Sequence, residues 1–271
     1  MIEKLTDQCK AVKLKILEMT ASTGKNGAHI GGSFSAVELL VALLNSGDFN
    51  RGGDRDRLVL SKGHGAMALY AALWQNGFMA EEELAGFDKN GTGLYGHPHR
   101  NPVKGLDFSG GSLGLGLSYA VGVAIGLKKK KSSHKVYVIV GDGECDEGIV
   151  WEALMCAANF HLNNLVVIVD RNRWQLDGET KGIMDSSDLA LKFKSFGFET
   201  EEADGHDIGN LVDVLTRTAS SEKPVAIIAE TVKANGLSFL VGTKESHMCP
   251  LSEKKYLQAI DEINKEYADG K

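Results

Sequence analysis

The chain alternates between two patterns: stretches with apolar residues every three or four positions, and short runs that are apolar throughout. Leu5, Cys9, Val12, Ile16 and Met19 recur at helical intervals and predict an amphipathic helix over residues 3–20. "SAVELLVALL" (35–44) predicts a second helix, with Ser33 or Ser35 as its N-cap. "RLVLS" (57–61) reads as a short strand, followed by the glycine-punctuated "KGHG" and a helix through "AMALYAALWQNG". Glycines crowd residues 91–126, where a loop feeds a closely packed helix. Strands follow at 136–140, 165–169 and 224–231, with helices at about 148–161 and 252–267. Short apolar strands separated by helices predict an α/β fold, an open and mostly parallel sheet covered on both faces. No repeat or linker divides the chain, so one domain is expected over residues 1–271.

Composition narrows the classes. With 43% hydrophobic residues the chain can bury a substantial core, and a net charge of −6 argues against a general nucleic-acid binder. The basic run Lys128–Lys131 reads as a solvated turn after a helix. Cys9, Cys145, Cys156 and Cys249 form no C-x-x-C pair, which fits a reducing cytosol better than a zinc site or a disulfide framework. The charged N-terminus lacks an apolar signal core, and "LSYAVGVAIGL" is too short to span a bilayer. A cytoplasmic protein without membrane or nucleic-acid partners is expected.

The chemistry concentrates where two strands end. Gly141-Asp142-Gly143-Glu144 follows the first and Asp170-Arg171-Asn172 the second, about thirty residues apart across one crossover helix. In parallel sheets ligands sit beyond the carboxyl ends of the strands. A carboxylate and an amide oxygen are hard donors suited to Mg²⁺ alongside phosphate oxygens. Gly141 and Gly143 let backbone approach a phosphate closely, and the helix from Gly148 aims its N-terminus there. That dipole offers about 2 kcal/mol at best, so a diphosphate at this place needs a metal to neutralise it.

This pair of strand ends resembles the metal motif of the thiamine-diphosphate enzymes. The resemblance implies thiamine diphosphate as cofactor, with Mg²⁺ (or Ca²⁺) held by Asp142, Asn172 and the carbonyl of Trp174. Gly143 would donate to the diphosphate and Leu176 would lie against the cofactor ring. "GAHIGGSFS", "SKGHGAMALYAAL", "GHPHR", "GSLGLGLSYAVGVAIGLK", "GDGECDEGIVWEA" and "DRNRWQLDGET" then resemble the N-terminal half of transketolase, in order and along nearly the whole chain. By that resemblance His64 and His247 contact the diphosphate and the reacting carbon, while His29 and His97 bind sugar hydroxyls and relay protons. Gly111 and Leu113 would touch the aminopyrimidine, with Ser112, Gly141 and Glu144 also among the cofactor-binding residues. Glu147 would join a buried acid network at a subunit interface. His206, in "DGHD", reads as part of a structural turn before a helix.

The chain departs from the family at Ala-His-Ile-Gly-Gly, where Gly-His-Pro-Gly is usual, and at Met248, where glycine follows the histidine. In the family the acid that protonates the aminopyrimidine comes from a second, pyrimidine-binding domain, which residues 1–271 do not resemble. The expectation is therefore the N-terminal subunit of a split transketolase. It would be active with a C-terminal subunit, most simply as an α₂β₂ tetramer, on sugar or sugar-phosphate substrates. The alternatives are the α chain of a 2-oxoacid dehydrogenase, a 1-deoxyxylulose-phosphate synthase-like enzyme, or a non-catalytic partner subunit.

Overall fold

The computed structural model describes residues 1–268, so the last three residues of the expected 1–271 domain lie outside the described residues. The elements run α1 (Ile2–Ser22), α2 (Ile30–Phe34), α3 (Val37–Ser46), β1 (Arg57–Leu60), α4 (Ala66–Gln75), α5 (Glu81–Leu84) and α6 (Leu115–Lys129). They continue with β2 (Val136–Gly141), α7 (Gly148–Asn159), β3 (Leu165–Arg171), α8 (Thr180–Ile183) and α9 (Leu189–Ser195). β4 (Glu199–Asp204), α10 (Ile208–Thr218), β5 (Val225–Glu230) and α11 (Glu253–Ala268) complete the described order.

The five strands pair in parallel in the order β1-β2-β3-β5-β4. Their side chains alternate between two cores. Leu58, Leu60, Ile139, Val166, Ile168 and Ile227 face one core with α1, α3, α4, α10 and α11. Val59, Val138, Val140, Val167, Val169 and Ile228 face the other, with α6, α7 and α9. The crossovers β2-α7-β3 and β3-α9-β4 advance along the sheet, whereas β4-α10-β5 steps back. Right-handed connections moving in opposite directions must lie on opposite faces, and α10 does lie opposite α7 and α9. The chain leaving β2 and β3 therefore turns to one face and that leaving β4 to the other, where α4 after β1 and α11 after β5 also pack. A crevice opens between them at the carboxyl edge.

The structure adds one strand and corrects one expectation. The strand β4, "ETEEAD", was not foreseen, because within it only Ala203 is buried and the charged residues mark an exposed edge. Neither Ser33 nor Ser35 caps α3. The Ser33 hydroxyl donates to the His29 carbonyl (2.9 Å), and the Ser35 hydroxyl bonds Asp170 Oδ2 (2.7 Å) inside the core.

Candidate active site

The strand ends build the first half of the site. Asp142 follows β2 directly and is buried, its Oδ1 accepting from Gly143 N (2.9 Å) and its Oδ2 from Arg173 N (2.6 Å). Arg173 reaches that position with φ +65°, a left-handed conformation uncommon for a side chain of its size. Asn172 is buried beside it, with Oδ1 accepting from Trp174 N at 3.1 Å. Both side-chain oxygens retain lone pairs that these backbone groups do not occupy. Burial first, and the neighbouring Asp170 second, push the Asp142 carboxyl up to about 7, against the pull of the two backbone N–H groups. A bound cation would reverse that balance. Residues 172–180 form a small antiparallel turn closed by Trp174 and Glu179, with Leu176 exposed at its tip. Gly143 lies under the side chain of Gln175, where an added Cβ would come within 2.7 Å of Gln175 Cγ.

Four loops supply the second half. His29 precedes α2, His64 follows β1, His97 lies between α5 and α6, and His247 lies between β5 and α11. They converge: the His29 ring is 5.4 Å from His97, 5.2 Å from His247 and 6.1 Å from His64, and His64 is 5.4 Å from His247. His247, whose following residue departs from the family pattern, joins the cluster all the same. The glycines around these histidines are there for contact. A Cβ on Gly31 would meet the Ser246 carbonyl oxygen at 2.3 Å, and one on Gly32 would meet His64 Cδ2 at 2.7 Å. An antiparallel bridge between Ala28 and Cys249 holds the His29 and His247 segments together.

Desolvation is the main reason that all four imidazoles titrate below the usual histidine range, with His247 lowered to about 4. His97 adds to that lowering at His29, and Lys233 adds to it at His247. At neutral pH the cluster is a set of uncharged donor–acceptor rings, suited to sugar hydroxyls and to accepting protons.

Sequence reading missed three charged residues behind the site. Lys62 and Asp170 form an ion pair fully shielded from solvent; Ser35 and Thr231 also bond Asp170, and Lys62 Nζ donates to the Gly32 carbonyl at 2.8 Å. Lys233 Nζ donates to the Gln175 carbonyl (3.0 Å) and lies 3.3 Å from His247 Nδ1, and burial lowers it to about 8. It is followed by Ala234 at φ +62°, another left-handed residue without the freedom of glycine. In the sequence the signals were a lysine just after a strand, in "TVKANG", and one just before a glycine-flanked histidine, in "SKGHG".

The remaining expected residues fall into two groups. Gly111 and Ser112 are exposed and Leu113 is half-buried, on the loop before α6 beside Gly63 and His97. Glu144 turns inward: its carboxylate accepts from Gly114 N (2.7 Å), Gly141 N (3.0 Å) and the Ser61 hydroxyl, so it ties three loops together instead of facing the crevice. Glu147, at the N-cap of α7, is exposed, and among the described residues no buried acid network forms around it.

Comparison with known proteins agrees with this geometry. The family described as the thiamine diphosphate binding domain of transketolase matches residues 4–267. A subunit of the apulose-4-phosphate transketolase of Actinobacillus succinogenes is 38% identical over 270 residues, covering 97% of each chain. The 6-deoxy-6-sulfo-D-fructose transketolase subunit SqwG of a Clostridium species is 37% identical, covering 97% of this chain and 98% of its own. The crystal structure of Campylobacter jejuni transketolase superposes with a TM-score of 0.89 at 30% identity, over 97% of this chain and 43% of that one. The chain thus spans nearly all of these two transketolase subunits and under half of the longer enzyme. The chain belongs to the transketolase family, as its thiamine diphosphate-binding part.

Proposed function

We propose that this chain is the cofactor-binding subunit of a two-chain transketolase that moves a two-carbon ketol unit from a ketose to an aldose. The observation that carries this reading is the convergence of four uncharged histidines beside the Asp142–Asn172 strand ends. A 2-oxoacid dehydrogenase subunit would have no use for that sugar-binding set.

Mg²⁺ (or Ca²⁺) fits the donor set. Among the described residues no three His, Cys, Asp or Glu side chains gather into a self-sufficient metal cluster. A cation at Asp142 and Asn172 would therefore complete its shell with the Trp174 carbonyl and diphosphate oxygens. Bound thiamine diphosphate supplies the carbanion chemistry. The protein groups divide the remaining tasks. Gly143 and His64 would hold the diphosphate, and His247 would serve both it and the sugar. His29 and His97 would orient hydroxyls and hold protons at ring nitrogens. Lys233, through Gln175 and His247, keeps the two halves in register. Gly111, Ser112, Leu113 and Leu176 line the way to the cofactor rings.

Both relatives of matching length are named as subunits, which supports a partner chain. That partner would carry the pyrimidine-binding domain and the acid and meet this chain at Glu147, in an α₂β₂ assembly in the cytoplasm. Among the described residues no helix is long and apolar enough to cross a membrane. The test is to assay ketol transfer with thiamine diphosphate and Mg²⁺, using this chain with and without the product of its neighbouring gene. Activity should require both chains. Full activity from this chain alone would refute the two-chain reading, and pyruvate consumption in its place would refute the transketolase assignment.

A further inference from the structure

Beside the His29 and His97 rings an open cleft of about 340 Å³ lies at the surface, lined by the buried Phe87 and by the exposed Asp88, Tyr95, His99 and Met248. Neither the metal motif nor the histidine cluster uses these five residues. The chamber is built by hydrogen bonds around it. Tyr70 Oη donates to the Tyr95 carbonyl at 2.9 Å, and Asp88 N donates to the Leu94 carbonyl at 2.7 Å. The Tyr95 and His99 rings lie 4.7 Å apart and form one aromatic wall. Asp88 adopts φ +54°, a conformation that a short polar side chain tolerates better than most, and a Gly96 N–H lies 3.4 Å from its Oδ1. Its charge acts on both His29 and His97, raising each against the lowering effect of burial. The carboxylate is thus within electrostatic reach of the sugar-binding rings.

No Arg or Lys lines this chamber among the described residues. Phosphate and sulfonate sites are made of guanidinium, ammonium and convergent backbone N–H groups. Here a carboxylate stands where such an anion would need a cation. A carboxylate does bind hydroxyls well, through charge-assisted hydrogen bonds. The aromatic wall offers a surface for the C–H faces of a sugar.

We propose that Asp88, Tyr95 and His99 are specificity-determining residues: this chamber takes the uncharged, hydroxyl-bearing end of a sugar and rejects an end that carries phosphate or sulfonate. The inference rests on reading the site as a sugar-transferring one, and its test has two arms. In the first, the two-chain complex with thiamine diphosphate and Mg²⁺ is given fructose or fructose 6-phosphate as donor with one common acceptor. Relative to the unsubstituted protein, Asp88→Asn should raise the phosphorylated-to-neutral ratio of kcat/KM about tenfold and Asp88→Lys about a hundredfold, through lost repulsion and then attraction. Thiamine diphosphate affinity should stay unchanged, which also reports that the variants fold. An unchanged ratio in both variants overturns the proposal.

The second arm needs no turnover. Arabinitol and arabinitol 5-phosphate are titrated into the full chain while the ring resonances of Tyr95 and His99 are followed by NMR. Shifts of these rings at lower arabinitol than arabinitol 5-phosphate concentration support the proposal; equal or tighter phosphate binding sinks it. If neither donor supports ketol transfer, the transketolase reading fails while this arm still decides what the chamber binds.

Discussion

The two halves of the site are built differently. At the β2 and β3 ends, functional atoms sit on or next to the sheet and are fixed by backbone hydrogen bonds, as with Asp142 between Gly143 N and Arg173 N. The histidine cluster has no such base; its rings come from four loops that meet by packing and one short bridge. The first half requires strand register alone, whereas the second requires the whole fold. Binding a charged tail tolerates little error in donor position, whereas hydroxyls can be met by rings on adjustable loops.

Substitutions should separate the halves. Asp142→Ala is expected to have the largest effect: thiamine diphosphate binding with Mg²⁺ more than about a hundredfold weaker by calorimetry, and ketol transfer lost. Normal cofactor binding by that variant would show the metal assignment to be wrong. Asp170→Asn leaves Lys62 buried without its charge partner, so urea unfolding should show a loss of about 3–5 kcal/mol. His97→Ala should touch the second half alone, raising KM for the donor sugar about tenfold while cofactor affinity is retained. A matching loss of cofactor affinity would mean that the halves are not separable.

pH gives a finer test. The proposed metal site requires the ionised Asp142 carboxylate, and burial beside Asp170 pushes that carboxyl up to about 7. As pH falls below that value the carboxyl takes up a proton and competes with the metal. Affinity for thiamine diphosphate with Mg²⁺ should therefore drop by up to about tenfold per pH unit and level off above pH 7. A flat profile from pH 5 to 8 would contradict the assignment of Asp142 as the metal's carboxylate. The smallest effect is expected at His206. Val232 N can only donate, so His206 Nε2 accepts from it (2.8 Å) and Nδ1 carries the proton toward Glu38 Oε2 (3.1 Å). His206 thus ties its turn to α3 and to the segment leading into Lys233. His206→Leu should cost a few-fold in kcat/KM, with His206→Gln recovering part of it.

Legibility followed the same division. Asp142 and Asn172 stood out because each ends an apolar run, and strand ends at crossover spacing are a local signal. The histidines were found through resemblance, since nothing in the spacing of His29, His64, His97 and His247 says that they meet. Lys62 and Asp170 lie 108 residues apart, and their pairing appears only when β1 and β3 stand in the same sheet. Ser35 was misread because a serine before a helix usually caps it; here a buried carboxylate won the hydroxyl. The strand β4 escaped because hydrogen bonds to β5, and not burial of its own side chains, make it a strand.

The bridge between Ala28 and Cys249 also sets an order of events during synthesis. On the ribosome the segment carrying Asp142 and Asn172 emerges well before Cys249 does, and β2 and β3 are neighbours in both sequence and sheet. The Asp142–Asn172 half can therefore take shape while the histidine half is still open, waiting for a late segment to pair with an early one. A nascent chain stalled before His247 should thus present Asp142 and Asn172 without the closed histidine cluster.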